Sequence, residues 1–170
     1  MKPRLFATAI VASLLPGALM SQDASAPEAG GAPVDLAAFS GDAAAGEQQF
    51  ARQCVSCHVV QNEAGEVLAG RNARTGPNLW QAVGNRPAHV EGFAYSPAMK
   101  AYGESGVLWA EDNLVHYLLD PTTHLREALG DSSARSKMAY KVRDEGQARD
   151  IAAYLATFGL PAGEQPGTGG

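Results

Sequence analysis

The sequence predicts an all-α domain with little or no sheet. Apolar residues recur at helical spacing in several stretches, each bracketed by a capping residue and a stop signal. No run alternates apolar and polar residues as a half-buried strand would, and no repeat or heptad pattern competes. The chain has only two cysteines, and both stand at the end of the first helical stretch.

That first stretch opens at Gly41-Asp42 and runs from Asp42 or Ala43 to Arg52, with Ser40 or Asp42 able to cap its free amides. Gly46 and Phe50 lie four apart on one face, and Cys54 continues that face. Glycine costs about 1 kcal/mol inside a helix relative to alanine, so Gly46 suggests the close approach of another helix. The last helical stretch, about Asp144 to Phe158, supplies a matching stripe of Ile151, Tyr154, Leu155 and Phe158. Gly159 and Pro161 then stop it. Between these two, Val59 to Arg74 reads as a loop with a turn at Asn62-Glu63-Ala64-Gly65. Leu79 to Val83 suggests one helical turn. Ser96-Pro97 opens a short helix to about Tyr102. Ala110 to Leu119 forms a helix with Glu111 and Asp112 in its positive first turn. Asp120-Pro121 stops it, and Thr122 or Thr123 caps another short helix to Leu129. Gly130 to Arg143 reads as loop.

The cysteines belong to the pentapeptide Cys54-Val55-Ser56-Cys57-His58, the C-x-x-C-H attachment signal for a c-type haem. Two cysteines at this spacing can each form a thioether to one vinyl group of a single haem. His58 then lies under the iron and supplies an imidazole nitrogen. A thioredoxin-like redox pair also uses C-x-x-C, but within a βαβ pattern that this chain lacks. A zinc site normally needs four ligands, and His116 and His124 are too far apart for the usual paired-histidine spacing. For a sixth iron ligand the chain offers Met99, Met138, His89, His116 and His124. Met138 is preferred, because Ser136-Lys137-Met138-Ala139-Tyr140 is loop and lets a thioether approach a metal without distorting a helix. Met99, inside the Pro97 helix, suits apolar packing; bis-histidine ligation stays open.

The N-terminus carries the marks of an export signal. Lys2 and Arg4 precede an apolar run from Leu5 to Leu19, and Ala24-Ser25-Ala26 offers an A-x-A cleavage site. The run is short for a spanning helix of about 20 residues. Residues 1–26 are therefore read as a signal peptide, 27–40 as a flexible lead-in, 41–160 as one domain and 161–170 as a flexible tail. The formal charge of the 170-residue chain is −5. Loss of Lys2, Arg4 and Asp23 with the leader makes the remainder one unit more negative. Such a balance argues against general nucleic-acid binding. One stretch runs the other way: Arg135, Lys137, Lys141 and Arg143 stand together between Ala134 and Arg143 with no acid among them.

On these residues the chain resembles class I c-type cytochromes, in particular the bacterial cytochrome c2 and c550 group. The resemblance spans about Gly41 to Phe158. It rests on the C-x-x-C-H motif, on Ala69 through Trp80, on Glu91-Gly92-Phe93-Ala94-Tyr95, on Leu108-Trp109, on Tyr117 with Asp120-Pro121, and on Lys137 through Val142. It implies three to five helices wrapped around one covalent haem c, with Cys54 and Cys57 as thioether carriers and His58 and Met138 as iron ligands. It further implies that the Pro77 carbonyl accepts from the second nitrogen of His58, that Tyr95 and Trp109 donate to a haem propionate, and that Tyr117 lies near the Met138 sulfur. The group usually reads Val-Gly-Arg after the Pro77 segment. Here the text is Val83-Gly84-Asn85-Arg86, which leaves the propionate role of Arg86 open. The implied function is that of a soluble, monomeric periplasmic electron carrier and not an enzyme. Its partners would be membrane complexes such as cytochrome bc1 and an oxidase or photosynthetic reaction centre, docking near Arg135, Lys137, Lys141 and Arg143. The rival readings are a five-coordinate haem sensor or enzyme, and a carrier tethered by an uncleaved N-terminal segment.

Overall fold

A computed structural model describes residues 32–167, so the signal-peptide reading of residues 1–26 lies outside the described residues. Five α-helices follow in order: α1 Ala43–Gln53, α2 Pro97–Glu104, α3 Glu111–Leu119, α4 Pro121–Leu129 and α5 Glu145–Ala156. Four of the five begin at a residue whose side chain accepts from the free amides. Asp42 accepts from Ala44 and Ala45 at α1, Ser96 from Met99 at α2, and Asp144 from Gln147 at α5. At α3 the side chain of Asn113 takes the amide of Ala110 instead. Asp120 donates its amide to the His116 carbonyl to close α3, and its side chain caps α4 by accepting from the Thr123 amide, with Pro121 in the first turn. The cap of α4 is therefore Asp120, not Thr122 or Thr123. The reason is that Pro121 must occupy a first-turn position where its missing N–H costs nothing.

The terminal helices cross in close contact. A Cβ on Gly46 would overlap the carbonyl of Asp150 and stand 2.8 Å from Cβ of Tyr154. The glycine is thus the point where two backbones meet, as its place in the α1 stripe suggested. Phe50 and Tyr154 pack ring to ring at 5.6 Å nearby. Phe50, Val60, Val83, Val115, Leu118, Leu125, Val142, Ile151 and Leu155 form the continuous core.

Three segments differ from the sequence reading. Within the loop 59–74 two short strands, β1 Val59–Gln61 and β2 Val67–Gly70, pair antiparallel with a register break between Val60 and Gln61. They flank the expected turn at Asn62–Gly65. Leu79–Val83 is not a helical turn: Gln81 takes φ 52°, and the Leu79 and Gln81 amides donate outward to Val59 and Phe158. The described parts of the lead-in and tail are not loose ends. Val34, Leu36 and Phe39 pack on the core, Leu36–Ala38 forms a short 3-10 turn, and Gln165 is 3% exposed. Its carboxamide is held by backbone groups of Val34 and Leu160, which gives both termini a place to bond.

Candidate haem site

All eight site residues expected from the sequence line one cavity of about 680 Å³, a size within the range of about 300–1,000 Å³ typical of ligand sites. Its walls come from the end of α1 and the turn after it, the 74–83 segment, the 88–96 segment, α2, α3, the 136–142 loop and α5.

The attachment motif forms where α1 ends. The Cys54 amide donates to Phe50, and the Cys57 and His58 amides both turn back to the Cys54 carbonyl at 3.1 and 2.9 Å. This tight turn brings both half-buried, unbridged thiols and the imidazole to one side of the cavity. The ring of His58 is fixed from two directions. Nδ1 lies 2.9 Å from the carbonyl of Pro77, a residue whose oxygen can accept while its nitrogen has nothing to donate. Gly76 presses against the ring face: a Cβ there would stand 2.6 Å from Nδ1 and 2.8 Å from Nε2. The amide of Gly76 is itself anchored to the Cys57 carbonyl at 2.7 Å. With Nδ1 donating to Pro77, Nε2 keeps its lone pair for a metal. Burial pushes the His58 pKa below the ordinary histidine value, partly offset by Pro77, and so favours the neutral, ligating form.

The cysteine shifts the other way, which weighs against a redox pair. Burial, reinforced by neighbouring Cys57, pushes the Cys54 thiol up to about 12. A redox-active C-x-x-C pair needs a thiolate with a lowered pKa. Zinc fares no better, since no group of three or more His, Cys, Asp or Glu able to hold a metal occurs among the described residues. Two unpaired thiols, one neutral imidazole with a fixed ring and a large, mostly apolar cavity are what a covalent haem requires, and these residues fit it.

Of the five candidates for the sixth position, Met138, Met99 and His89 line the cavity. Met99 is buried inside α2, as expected for packing. His116 is exposed on α3. His124 is not in the lining; it packs among Tyr102, Trp109 and Tyr117. The loop carrying Met138 is held by side chains on every side. The Met138 amide donates to Ser136 Oγ at 3.1 Å, and that hydroxyl pairs with Tyr117 at 2.9 Å. Arg126 holds the Ala134 carbonyl, Thr122 Oγ1 takes the Ser136 amide, and the Lys137 ammonium donates to the Ala94 carbonyl. Lys141 pairs with Asp120 at 2.6 Å, and Tyr140 reaches Gln53 at 2.9 Å. The Tyr117 hydroxyl, expected near the methionine sulfur, thus acts on the loop through Ser136. Burial raises its pKa, and Ser136 offsets part of that rise.

Tyr95 and Trp109 both stand in the lining. Burial raises the Tyr95 hydroxyl to about 12, keeping it a donor at neutral pH. Arg86 is exposed and takes no part in the lining. Sequence reasoning missed two contributors. Gly76 is silent in any pattern of charge or periodicity, although it directly precedes Pro77. Arg74 is an exposed cation whose side of the cavity could be known only from the fold.

Comparison with known proteins agrees with this geometry. No family model matches the chain. It is 54% identical over 121 residues to cytochrome c2 of Rhodovulum adriaticum, covering 71% of this chain and 95% of that protein. It is 48% identical over 117 residues to cytochrome c-551 of Roseobacter denitrificans, covering 69% of this chain and 81% of the relative. The crystal structure of cytochrome c2 from Rhodobacter sphaeroides aligns with a TM-score of 0.68 at 41% identity, over 71% of this chain and 99% of that one.

Proposed function

The chain belongs to the cytochrome c2 family, and from that premise we propose which of its residues carry the function and where it docks. It is an electron-transfer protein with the class I cytochrome c fold and one covalent haem c, and it works as a redox carrier between membrane complexes. The haem supplies an iron that accepts and returns one electron with no substrate bond made or broken.

The residues divide the work. Cys54 and Cys57 would hold the group, and His58 would offer Nε2 to the iron while Pro77 and Gly76 fix the ring. Met138 would supply the second protein ligand, with Tyr117 and Ser136 holding its loop. Tyr95 and Trp109 would donate to a propionate. The observation that carries this reading is the 2.9 Å contact from His58 Nδ1 to the Pro77 carbonyl, in a cavity that Met138 also lines. Two such ligands would leave no open coordination position, which supports a carrier over a sensor or enzyme. Residues 1–26 direct export to the periplasm and are removed, leaving a monomer. Its donor is a complex of the cytochrome bc1 kind and its acceptor an oxidase or reaction centre. The docking face includes Arg135, Lys137, Lys141 and Arg143, and the lining position of Arg74 supports adding that residue.

The optical spectrum of the oxidised protein tests the ligand set. The weak long-wavelength sulfur-to-iron band is expected in the parent and absent in Met138→His. A parent that lacks the band and binds carbon monoxide readily would overturn the six-coordinate reading. Docking is tested by salt: association with an acidic redox partner should slow steeply as salt rises, and Lys137→Glu should slow it at low salt.

A further inference from the structure

The terminal segments are joined to the wall of the haem cavity by a continuous set of hydrogen bonds, and its hub is a buried carboxamide. Gln165 accepts from the Val34 amide at 2.7 Å and donates to the Val34 carbonyl and the Leu160 carbonyl, each at 2.9 Å. Leu160 donates its own amide to Val83 at 2.8 Å. Gly84, at φ 78°, lies so close beneath that a Cβ there would be 2.7 Å from the Leu160 oxygen and 2.8 Å from Gln165 Nε2. On its far side this segment is bonded to the tryptophan: the Gly84 amide donates to the Trp109 carbonyl, and the Trp109 amide to the Asn85 carbonyl, both at 2.9 Å. Ala82, Val83 and Trp109 line the cavity. The N-terminal strap is fixed further along its length. Leu36 packs on Gly159, the Ser40 amide bonds Glu111, and the Asp42 amide bonds Asp150 at 2.9 Å.

A buried carboxamide in this setting has one economical arrangement. It fills acceptor and donor places on two distant strands of chain at once, and losing it leaves several buried backbone groups unpaired. Nothing in the folding of five helices requires Val34 to meet Gln165 across 131 positions of sequence. The consequence falls instead on residues 82–85 and 109, of which Ala82, Val83 and Trp109 line the cavity.

We propose that Gln165 is a positioning residue for the haem, tying the strap and the tail to the Val83–Asn85 segment and thereby fixing Trp109 at the cofactor. The inference rests on the reading above that Trp109 faces the haem. The apolar cavity around a haem and the hydrogen bonds that reach it set its reduction potential. The brace therefore acts on the electron-transfer function from outside the cavity: Gln165 and Val34 do not line it.

The test uses the haem-loaded protein and compares Gln165→Met, which keeps side-chain length without its amide, with Trp109→Phe. Amide hydrogen exchange and the midpoint potential are both read. Gln165→Met should speed exchange about tenfold or more at Val34, Gly84 and Trp109 and shift the midpoint in the same direction as Trp109→Phe. The amides of α1 and α5 should keep their protection. Val34→Pro, which removes only that one donor and so is read at Gly84, Trp109 and the midpoint, should give the same pattern there at smaller amplitude and serves if Gln165→Met does not fold. Faster exchange confined to Val34, with an unmoved midpoint, overturns the brace. If Trp109→Phe shifts the midpoint in that case, the tryptophan reading survives alone; if neither variant shifts it, both fall.

Discussion

The crossing of α1 and α5 and the loop 134–143 face the same cavity but are held by different physics. At the crossing, Gly46 lets two backbones touch, and Phe50, Ile151, Tyr154 and Leu155 exclude water around the contact. Its strength is packing, which is non-directional and little affected by pH or salt. The loop has few buried apolar side chains beyond Ala134 and Val142. Its shape comes from separate polar contacts with α1, α3, α4 and the 94–96 turn, each modest by itself. One region should therefore fail all at once and the other by degrees. On the ligand set proposed above, that division would set the attachment end of the site on close packing and the Met138 end on groups that can be altered one at a time.

The comparison can be broken most severely at Gly46. Gly46→Val forces a side chain into the Asp150 carbonyl and should cost about 3 kcal/mol or more, lowering the denaturation midpoint of the whole domain. A midpoint equal to the parent's would mean that the helices do not meet there. Ile151→Ala comes next, at about 2–5 kcal/mol for a cavity in the core. Loss of helical circular dichroism and of the sulfur-to-iron band should coincide in that variant, since the crossing fails as a unit.

The loop should behave otherwise. Tyr117→Phe removes the hydroxyl from Ser136 and should cost only about 1 kcal/mol. On heating, the sulfur-to-iron band of this variant is expected to disappear before the helical signal does. Coincident loss would show that the loop has no independence. The smallest effect belongs to Lys141→Ala. The Lys141 and Asp120 side chains are 55% and 35% exposed, so solvent screening limits the pair to about 0.5 kcal/mol. Its signature is the pH dependence. Lys141, then the Thr123 amide, hold the Asp120 carboxyl down to about 2 from an ordinary 3.8. A depressed carboxyl contributes stability that is complete above its unfolded value and is lost as pH falls through the folded one. The parent's advantage over Lys141→Ala should therefore shrink between about pH 4 and pH 2, and high salt should remove it at any pH. An advantage that persists in acid would mean that Lys141 acts through packing alone.

Much of this was legible in the sequence because it depends on neighbours in the chain. Asp42, Ser96 with Pro97 and Asp144 mark helix starts by local chemistry, Asp120-Pro121 marks the end of α3, and Cys54 to His58 states its own spacing. Met138 is preferred for its place in a loop, the role of Pro77 comes from resemblance, and the fold brings both to the cavity. What was not legible depends on distant partners. The hairpin of β1 and β2 has strands of three and four residues with a broken register, too short for alternation to register. Pro27 to Ser40 has the composition of a linker, and distant partners give the described part of it a fixed place: Gln165, 131 positions from Val34, Gly159 against Leu36 and Glu111 at Ser40. The polar hold on the methionine loop was likewise hidden, since Ser136, Thr122 and Arg126 are unremarkable until α3, α4 and the loop are brought together.

Gly76 has a consequence for how such a chain can change over generations. Every amino acid one nucleotide away from a glycine codon brings a Cβ, and at this position any Cβ meets the His58 ring. Position 76 therefore has no neutral amino-acid replacement one mutation away, although its side chain carries no chemistry of its own. The histidine and the glycine are inherited as one character written in two places. A lineage that lost the haem would be expected to lose the two constraints together.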